Sequence, residues 1–355
     1  MHPQHRETIM KAIGYLHCLA IDQKDALIDI NVAKPEATGR DLLIKIHAIS
    51  VNPVDIKVRL SSPAENDQHK ILGWDAVGEV VAVGADVQHF KSGDQVYYAG
   101  DITRSGSNAE FQLVDERIVG NKPKSLSNSE AAAFPLTAIT AWELLFTRLG
   151  FVPDPTKTTD EQEAQEPSQI LIIGAAGGVG SILTQLAVKL TNATVIGTAS
   201  RPESVHWVKE LGADHVINHQ QPLQPQLNDL GIENVSHVIS LNHTGDHFEQ
   251  IVEILAPQGK LALIDDPQNG LDIMKLKRKS ISLHWEFMFT RSMFQTHDMH
   301  KQHQLLNNLA DLIDSGLIKT TLGEHYGAIN AENLKRAHAH IEGNHAIGKI
   351  VLEGF

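Results

Sequence analysis

Two patterns of apolar and polar residues divide the chain. From Met10 to about Val119, short apolar runs such as LLIKIHAIS, VGEVVAVG, DQVYYAG and AEFQLVD alternate with Gly, Pro, Asn and Asp. Apolar runs bounded by turn-forming residues are typical of strands. We therefore expect a β-rich domain with little helix.

The second pattern, which begins near residue 169, alternates strands with helices. Its segments are ILIIG, GVGSILTQLAVKL, ATVIGTAS, PESVHWVKELG, HVIN, HVISL, FEQIVEILAP and KLALID. Parallel strands joined by helices favour a doubly wound layer structure, because the crossover connection is right-handed. The predicted fold class is α/β, with a Rossmann-type doubly wound parallel sheet domain and a separate β-rich domain.

Two helices are predicted between these patterns. Ser127 or Asn128 can cap the first, and a second apolar helix is expected to follow Pro135, to run to Arg148 and to stop at Gly150.

Two polar segments are predicted to lie outside the regular elements, and a helix and a strand are predicted near the end of the chain. The first nine residues, MHPQHRETI, lack the apolar core of a signal peptide and are predicted to be a loose extension. Residues 151–169 are acidic, polar and flanked by proline, so we expect an exposed loop or linker insertion. A helix is expected near residues 301–315, and the final IGKIVLE is predicted to be a strand.

Length, charge and cysteine content limit the function classes. At 355 residues the chain exceeds the size at which one hydrophobic core usually stops growing, so two domains are expected. The formal charge of −13 argues against nucleic-acid binding, since phosphate backbones favour clustered Lys and Arg. The single cysteine, Cys18, excludes an internal disulfide and a multi-thiolate zinc site. It also suits a reducing compartment, and we expect a cytoplasmic protein without a membrane span.

The segment ILIIGAAGGVGSILTQLAVKL places a glycine-rich turn between a buried strand and an amphipathic helix, as a dinucleotide site requires. Gly177 and Gly180 stand where a pyrophosphate approaches the backbone and where the helix packs on the strand. The glycine fingerprint is imperfect, because Ala175, preceded by Gly174, occupies its first position. The predicted phosphate-binding residues are Ala176, Gly177, Gly178, Val179 and Gly180.

The end of the next strand indicates which coenzyme is bound. About 20 residues after the glycine turn, an acidic residue would accept hydrogen bonds from the adenosine ribose, but Ser200 and Arg201 stand there. A hydroxyl and a guanidinium suit a 2′-phosphate, so NADPH is predicted in preference to NADH, with Arg201 as a plain surface residue the alternative. His219, after the strand HVIN, is either a further contact or a surface residue.

Several motifs in order along the chain resemble the medium-chain dehydrogenase/reductase superfamily. They are GWDAVGEVVAVG, SGDQVYY, AAFPLTAITAW, AAGGVG and LGADHVIN, and the resemblance runs from about Met10 to the C-terminus. The chain looks most like the quinone oxidoreductase branch and its neighbours, the zinc-type alcohol dehydrogenase-like proteins. The resemblance implies a GroES-like catalytic domain at residues 1–134 and a Rossmann coenzyme domain at 135–310. It also implies a segment at 311–355 that returns to the catalytic domain, and a homodimer.

The resemblance also shows where this chain departs from the zinc enzymes. In the zinc alcohol dehydrogenases of the superfamily, a Cys, a Gly-His-Glu turn and a later Cys or similar residue hold the catalytic zinc. Here the matching positions carry Asn52 and the turn Gly73-Trp74-Asp75, and Val54 replaces a hydroxyl that relays a proton. An indole binds no metal and a single carboxylate holds one poorly. No metal is therefore expected.

The candidate catalytic residues lie at these same turns. The Asn52 amide is the preferred hydrogen-bond donor to the substrate, although an Asn-Pro pair is also a turn signal by itself. Asp55 is expected to hold this turn, and Lys57 is a weaker candidate for a proton source or a phosphate contact. Trp74 either forms an apolar wall of the substrate cleft or packs beneath it, and Asp75 is interpreted as a structural carboxylate that bonds a turn or a nearby cation.

Three further positions are predicted to contact the coenzyme. Thr137 lies in the LTAITAW segment, which in the resembling family borders the nicotinamide, but it is equally a helix residue. Asn242 follows the strand HVISL and Ile264 ends KLALI. Ligands of open parallel sheets bind at such strand ends.

Without a Lewis acid, the predicted chemistry is reduction of quinones or α,β-unsaturated carbonyls by hydride transfer from NADPH. Hydride addition to these acceptors leaves a charge that is delocalised and that a few hydrogen bonds can stabilise. The alternatives are a non-catalytic NADPH-binding sensor or structural protein, and a zinc-type alcohol dehydrogenase-like enzyme that acts on alcohols.

Overall fold

The computed structural model describes residues 9–155 and 168–355, and the chain divides into two compact units. Unit 1 combines the chain up to Leu136 with Phe289–Phe355, and unit 2 is Thr137–Met288. The predicted N-terminal extension, apart from its last residue, and most of the predicted loop at 151–169 lie outside the described residues.

The first part of unit 1 is rich in short strands. Its strands are β1 (Ile9–Tyr15), β2 (Ile28–Ala33), β3 (Asp41–Val51), β4 (Lys70–Ile71), β5 (Asp75–Val83), β6 (Gln95–Ala99), β7 (Phe111–Asp115) and β8 (Val119–Asn121). Its helices are α1 (Pro53–Ser61) and α2 (Asn128–Ala132), with 3₁₀ turns at Lys24–Ala26 and Glu116–Ile118. The β-rich character is confirmed.

Helix α3 (Pro135–Trp142) leads into unit 2 and continues as a π-helix, Glu143–Arg148. The strands of unit 2 are β9 (Gln169–Ile173), β10 (Thr194–Thr198), β11 (His215–Ile217), β12 (Val235–Ser240), β13 (Leu255–Leu263) and β14 (Ser282–Trp285). Its helices are α4 (Gly178–Leu190), α5 (Pro202–Glu210), α6 (Leu223–Asp229) and α7 (Thr244–Ile254), with a 3₁₀ helix at Ile273–Lys279.

The chain then returns to unit 1. This last part contains α8 (Thr290–Met293), α9 (Lys301–Asp314), β15 (Leu322–His325), α10 (Ala331–Glu342) and β16 (Lys349–Glu353). Strand β16 pairs antiparallel with β3, with Ile350 opposite Val51. The C-terminal strand therefore completes the main sheet of unit 1.

Unit 1 is built on two sheets. The larger has seven strands in the order β15-β16-β3-β5-β6-β8, with β7 also paired to β3, and the smaller has the order β2-β1-β4. Apolar side chains of β3 and β5 are buried along most of both strands.

Unit 2 is a six-stranded parallel sheet of order β11-β10-β9-β12-β13-β14. The strand order reverses direction between β9 and β12, which is the position where open α/β sheets bind ligands. A core of Leu, Ile, Val and Phe fills the contact between this sheet and helices α6 and α7. The predicted α/β fold class, with a doubly wound parallel sheet, is confirmed.

Local predictions agree with the structure in part. Ser127 caps α2, accepting a hydrogen bond from the Glu130 backbone, and the predicted apolar helix after Pro135 extends to Arg148. Its last six residues are π-helical, which the sequence pattern does not indicate. The expectation of little helix in the first domain missed α1, although Asn52 and Pro53 are favoured residues for the cap and first position of a helix.

Candidate functional site

The glycine loop of unit 2 joins β9 to α4 and presents backbone N–H groups at the start of that helix. Gly174 has φ of +84°, and Gly177, the cap of α4, donates its N–H to Gly174 O at 3.2 Å. The first N–H groups of a helix have no acceptor inside the helix. Together with the positive end of the helix dipole, they suit a pyrophosphate.

Two glycines of this loop are required by packing, and a third leaves room for a ligand. A Cβ on Gly180 would lie 2.4 Å from Gly174 O, and one on Gly174 would lie 2.7 Å from the Asn242 side chain. A Cβ on Gly177 would meet its nearest atom, Gly174 O, at 3.6 Å. The absence of a side chain at Gly180 therefore lets helix α4 pack closely on the backbone at Gly174, while the space beside Gly177 stays open for a phosphate.

The predicted coenzyme residues lie along one edge of the parallel sheet. Each follows the carboxyl end of a different strand: 176–180 after β9, Ser200 and Arg201 after β10, His219 after β11, Asn242 after β12 and Ile264 after β13. Because the five strands are parallel and adjacent, their carboxyl ends share this edge. Thr137 follows no strand of this sheet and is buried in α3.

Ser200 and Arg201 stand at the start of α5. Arg201 is the cap residue of this helix, with extended backbone angles, and Pro202 is its first residue. The Arg201 guanidinium is partly exposed and lies 3.4 Å from the Glu203 carboxylate. A weak, exposed ion pair of this kind leaves the cation able to exchange partners.

A pair of imidazoles extends the same edge. The rings of His219 and His247 lie 6.1 Å apart in a T-shaped arrangement, and Nδ1 of each is buried without a hydrogen-bond partner among the described residues. Burial lowers the pKa of His219, and the neighbouring imidazole of His247 lowers it further. Both rings are therefore expected to be neutral at pH 7, with apolar faces and a free ring nitrogen.

A buried polar cluster is the second candidate site, and it lies within unit 1. Its centre is Asp75, which is 0% exposed. Asp75 Oδ2 accepts hydrogen bonds from Ser50 Oγ at 2.7 Å and from Asn52 Nδ2 at 2.8 Å. Asp75 Oδ1 accepts from the backbone N–H of Leu136 at 2.7 Å. The carboxylate thus joins β3, the cap of α1 and the start of α3.

Lys349 adds a buried cation to this cluster. Its side chain is 3% exposed, and its Nζ donates to Asp75 Oδ2 at 3.1 Å, to Val51 O at 3.2 Å and to Asn52 Oδ1. Asp75 therefore bonds a nearby cation, as the sequence suggested. The polar cluster is defined here as Ser50, Asn52, Asp55, Asp75 and Lys349.

Asp55 closes the turn at the start of α1. Its Oδ2 accepts the backbone N–H of Asn52 at 2.7 Å, and the Asp55 N–H donates to Asn52 O at 3.0 Å. Burial raises the pKa of Asp55 to about 7, against the opposing effects of the Asn52 N–H and the Lys349 ammonium. Asp55 is thus the member of the polar cluster that titrates near neutral pH.

The other predicted catalytic residues occupy contrasting positions. Trp74 is 1% exposed, packs edge-to-face on Phe289 at 5.8 Å and donates its Nε1–H to Asp101 O at 3.3 Å. Lys57 is exposed on α1. Gly73, just before Trp74, has φ of +103°, and a Cβ there would lie 2.5 Å from Asn108 Oδ1. This turn therefore requires glycine.

Sequence reasoning missed Lys349, the cation of the polar cluster. The available signal was a lysine inside the apolar run IGKIVL, since a charged residue in a buried strand requires a partner. Its partners could not be named, because they lie almost three hundred residues earlier in the chain. The pairing of β16 with β3 places Lys349 beside Asn52.

Within 9–155 and 168–355, no group of three or more His, Cys, Asp or Glu side chains is placed to share one metal ion. In the same part of the chain, no helix combines the length and the apolar character needed to cross a membrane.

Comparison with known proteins places the chain in a family. The model of the alcohol dehydrogenase GroES-like domain matches residues 38–124, and the model of the zinc-binding dehydrogenase domain matches residues 211–352. A zinc-type alcohol dehydrogenase-like protein of Staphylococcus epidermidis is 36% identical over 343 residues, covering 97% of this chain and 99% of that protein. The chain belongs to the medium-chain dehydrogenase/reductase superfamily.

Other members of the superfamily are similar over nearly the whole chain. The crystal structure of a putative zinc-dependent alcohol dehydrogenase from Rhizobium etli has a TM-score of 0.91 and 50% identity, covering 98% of this chain and 99% of that one. A 2-methylene-furan-3-one reductase of Solanum lycopersicum is 30% identical, covering 97% of this chain and 79% of that protein. The chain is thus an oxidoreductase of this superfamily, whose fold binds a nicotinamide coenzyme.

Proposed function

We propose that this medium-chain dehydrogenase/reductase uses NADPH to reduce quinones or α,β-unsaturated carbonyls, without a catalytic metal. The coenzyme supplies a hydride when bound. The protein holds the coenzyme at the carboxyl edge of the unit 2 sheet and supplies hydrogen bonds to the oxygen of the acceptor.

The observation that carries the proposal is the buried Lys349 ammonium. The turns at Asn52 and at Gly73-Trp74-Asp75 resemble the zinc-binding turns of related enzymes, but here Asn52 Oδ1 and Asp75 Oδ2 already bond this ammonium. A second cation at these oxygens would be repelled by Lys349 at short range. Trp74 supplies no ligand atom, so these residues do not fit a zinc site.

This environment suits a conjugated acceptor. A saturated ketone needs a Lewis acid or a strong proton donor to stabilise the alkoxide that forms as hydride arrives. An enone or a quinone delocalises the charge, so an amide N–H is an adequate partner for its oxygen. Asn52 is our proposed donor, Asp55 holds its turn, the buried Trp74 packs against Phe289, and Lys57 is a secondary proton source. The name of the tomato relative, at 30% identity, also specifies a methylene group conjugated to a ketone.

NADPH is proposed as the coenzyme because of Ser200 and Arg201. Replacing Arg201 with Ala removes charge-assisted hydrogen bonds to the 2′-phosphate worth roughly 1.5 to 3 kcal/mol. NADPH should then bind about ten- to 150-fold more weakly, while NADH binding should hardly change. Titration of both coenzymes into the wild type and Arg201→Ala checks this. Equal losses for the two coenzymes, or a wild type that prefers NADH, would contradict it.

The reaction class is tested with matched acceptors. NADPH oxidation is followed with 2-cyclohexenone, with cyclohexanone and with 1,4-benzoquinone, and NADP⁺ reduction is followed with benzyl alcohol. We expect turnover of the enone or the quinone and negligible turnover of the saturated ketone and the alcohol. Alcohol oxidation that a chelator abolishes would favour the zinc-type alcohol dehydrogenase-like alternative. Tight NADPH binding with no turnover of any acceptor would favour a sensor or structural protein.

Two expectations remain predictions from the sequence and the superfamily. A homodimer is proposed because it is common in the resembling family. A cytoplasmic location is proposed because Cys18 is the only cysteine.

A further inference from the structure

The polar cluster uses nearly all of its hydrogen-bond donors. Lys349 has three N–H groups and three acceptors around it, which are Val51 O, Asn52 Oδ1 and Asp75 Oδ2. The hydroxyl of Ser50 donates to Asp75, and the backbone N–H of Asn52 donates to Asp55. Each of these donors is therefore satisfied inside unit 1.

One donor is left over. The Nδ2 of Asn52 carries two N–H groups, and only one of them is used, in the bond of 2.8 Å to Asp75 Oδ2. The other has no acceptor among the described residues. Asn52 is 1% exposed, and a buried donor without an acceptor is unfavourable. This N–H is therefore available to an acceptor atom that a ligand brings.

Lys349 and Asp75 together fix which way the Asn52 amide faces. An ammonium only donates, so it requires the Oδ1 side of the amide, and a carboxylate only accepts, so it requires the Nδ2 side. Rotating the amide by 180° would place Nδ2 against Lys349 and Oδ1 against Asp75, breaking both bonds. The unused N–H is thus held in one direction by two charged partners.

We propose that Lys349 is a positioning residue for the reduction, because its buried ammonium locks the Asn52 amide with its second N–H directed at the carbonyl oxygen of a conjugated acceptor. The inference rests on the proposed function, and it assigns to Lys349 a role separate from charge neutralisation of Asp75. Lysine suits this role because three acceptors surround one compact ammonium.

Three variants at one position separate the two roles. Lys349→Gln and Lys349→Met are both neutral and similar in size, so both remove the ion pair with Asp75. Only Gln can still donate to Asn52 Oδ1. Lys349→Arg keeps both the charge and the donors. We expect kcat for the enone to fall about 100- to 1,000-fold in Lys349→Met, which is the scale of losing one oriented donor.

The order of the variants is the decisive result. With wild type highest, kcat should fall in the order Arg, Gln, Met, while the NADPH dissociation constant changes by less than about threefold. Similar kcat values for Gln and Met, at similar stability, would overturn the proposal in favour of a purely structural lysine. A loss expressed only in coenzyme binding would also overturn it.

A measurement on the wild type keeps the inference testable if Lys349→Met does not fold. The two side-chain amide protons of Asn52 are followed by NMR with ¹⁵N-labelled asparagine, assigned through their loss in Asn52→Ser. Addition of NADP⁺ and 2-cyclohexenone should shift the proton that is not bonded to Asp75 and leave the other nearly unchanged. Equal shifts of both protons, or of neither, would contradict the proposal.

The same spectra separate failure of this inference from failure of the proposed function. If the wild type reduces no conjugated acceptor, the proposed function is wrong, and the amide protons of the ligand-free protein decide the role of Lys349 alone. The proton bonded to Asp75 should then keep its shift in Lys349→Arg, largely keep it in Lys349→Gln, which can still donate to Asn52 Oδ1, and lose it in Lys349→Met. An unchanged pair of resonances in all variants would show that Lys349 does not orient Asn52.

Discussion

At the glycine loop of unit 2, the polar groups available to a ligand are backbone N–H groups, whereas the polar cluster of unit 1 is made of side chains. The glycine loop leaves space in front of Gly177, where a Cβ would be 3.6 Å from the nearest atom. In the polar cluster, Asp75 and Lys349 are buried and bond each other at 3.1 Å.

Because of this difference, the two sites should respond differently to amino-acid substitutions. Loss of a side chain at the glycine loop is harmless because no side chain contributes there, and gain of one is harmful. The Lys349–Asp75 ion pair of the polar cluster behaves in the opposite way, since removing either charge leaves its partner buried and uncompensated. Substitutions that add atoms should therefore damage the first site, and substitutions that break this ion pair should damage the second.

The largest expected effect is loss of charge in the polar cluster. Lys349→Met leaves Asp75 without its cation in a buried setting, so the free energy of unfolding should fall by about 3–5 kcal/mol. The matched control is Lys45→Met, because Lys45 is exposed on β3 of the same sheet and should change stability by less than about 0.5 kcal/mol. Denaturant unfolding measures both. Equal effects at the two positions would show that the buried ion pair of Lys349 with Asp75 contributes no special stability.

A smaller effect is expected from Asp55, whose pKa is raised from 3.8 to about 7. The folded protein keeps a proton here that the unfolded chain releases, so this stabilisation is complete below pH 4 and is lost as the pH rises through 7. Asp55→Asn cannot ionise and should exceed the wild type in stability by roughly 2–4 kcal/mol at pH 8, but not at pH 4. Unfolding at both pH values checks this. A difference that does not vary with pH would show that Asp55 does not titrate in this range.

The smallest expected effect is on stability, and it should differ between two glycines of the same loop, Gly180 and Gly177. A Cβ on Gly180 would lie 2.4 Å from Gly174 O, so Gly180→Ala should destabilise the protein by about 1–3 kcal/mol through overpacking. Gly177→Ala has room for its methyl group and should leave stability nearly unchanged while weakening NADPH binding. Unfolding without coenzyme and NADPH titration give the two quantities. Similar loss of stability in both variants would mean that the loop does not keep its open space at Gly177.

The glycine loop was predictable because its signals are local. Strand, turn and helix follow one another within the segment from Gln169 to Leu190, and the parallel arrangement of the strands brings later strand ends to the same edge. The polar cluster was predictable only in part. Asn52, Asp55 and Asp75 were recognised as a turn and a structural carboxylate, but their hydrogen bonds to Lys349 depend on the pairing of β16 with β3. No local pattern specifies such a pairing, because it is set by the whole sheet.

The central claim is that an internal ammonium stands where related enzymes place a metal. Metal analysis of the purified protein, combined with the rate of NADPH-dependent 2-cyclohexenone reduction before and after treatment with a chelator, tests it most directly. We expect less than about 0.1 zinc per chain at full activity and no loss of rate after chelation, because we propose that Lys349 repels a metal ion at these turns and that Trp74 gives it no ligand atom. One tightly held zinc per chain, removed together with the activity and restored with it, would contradict the account.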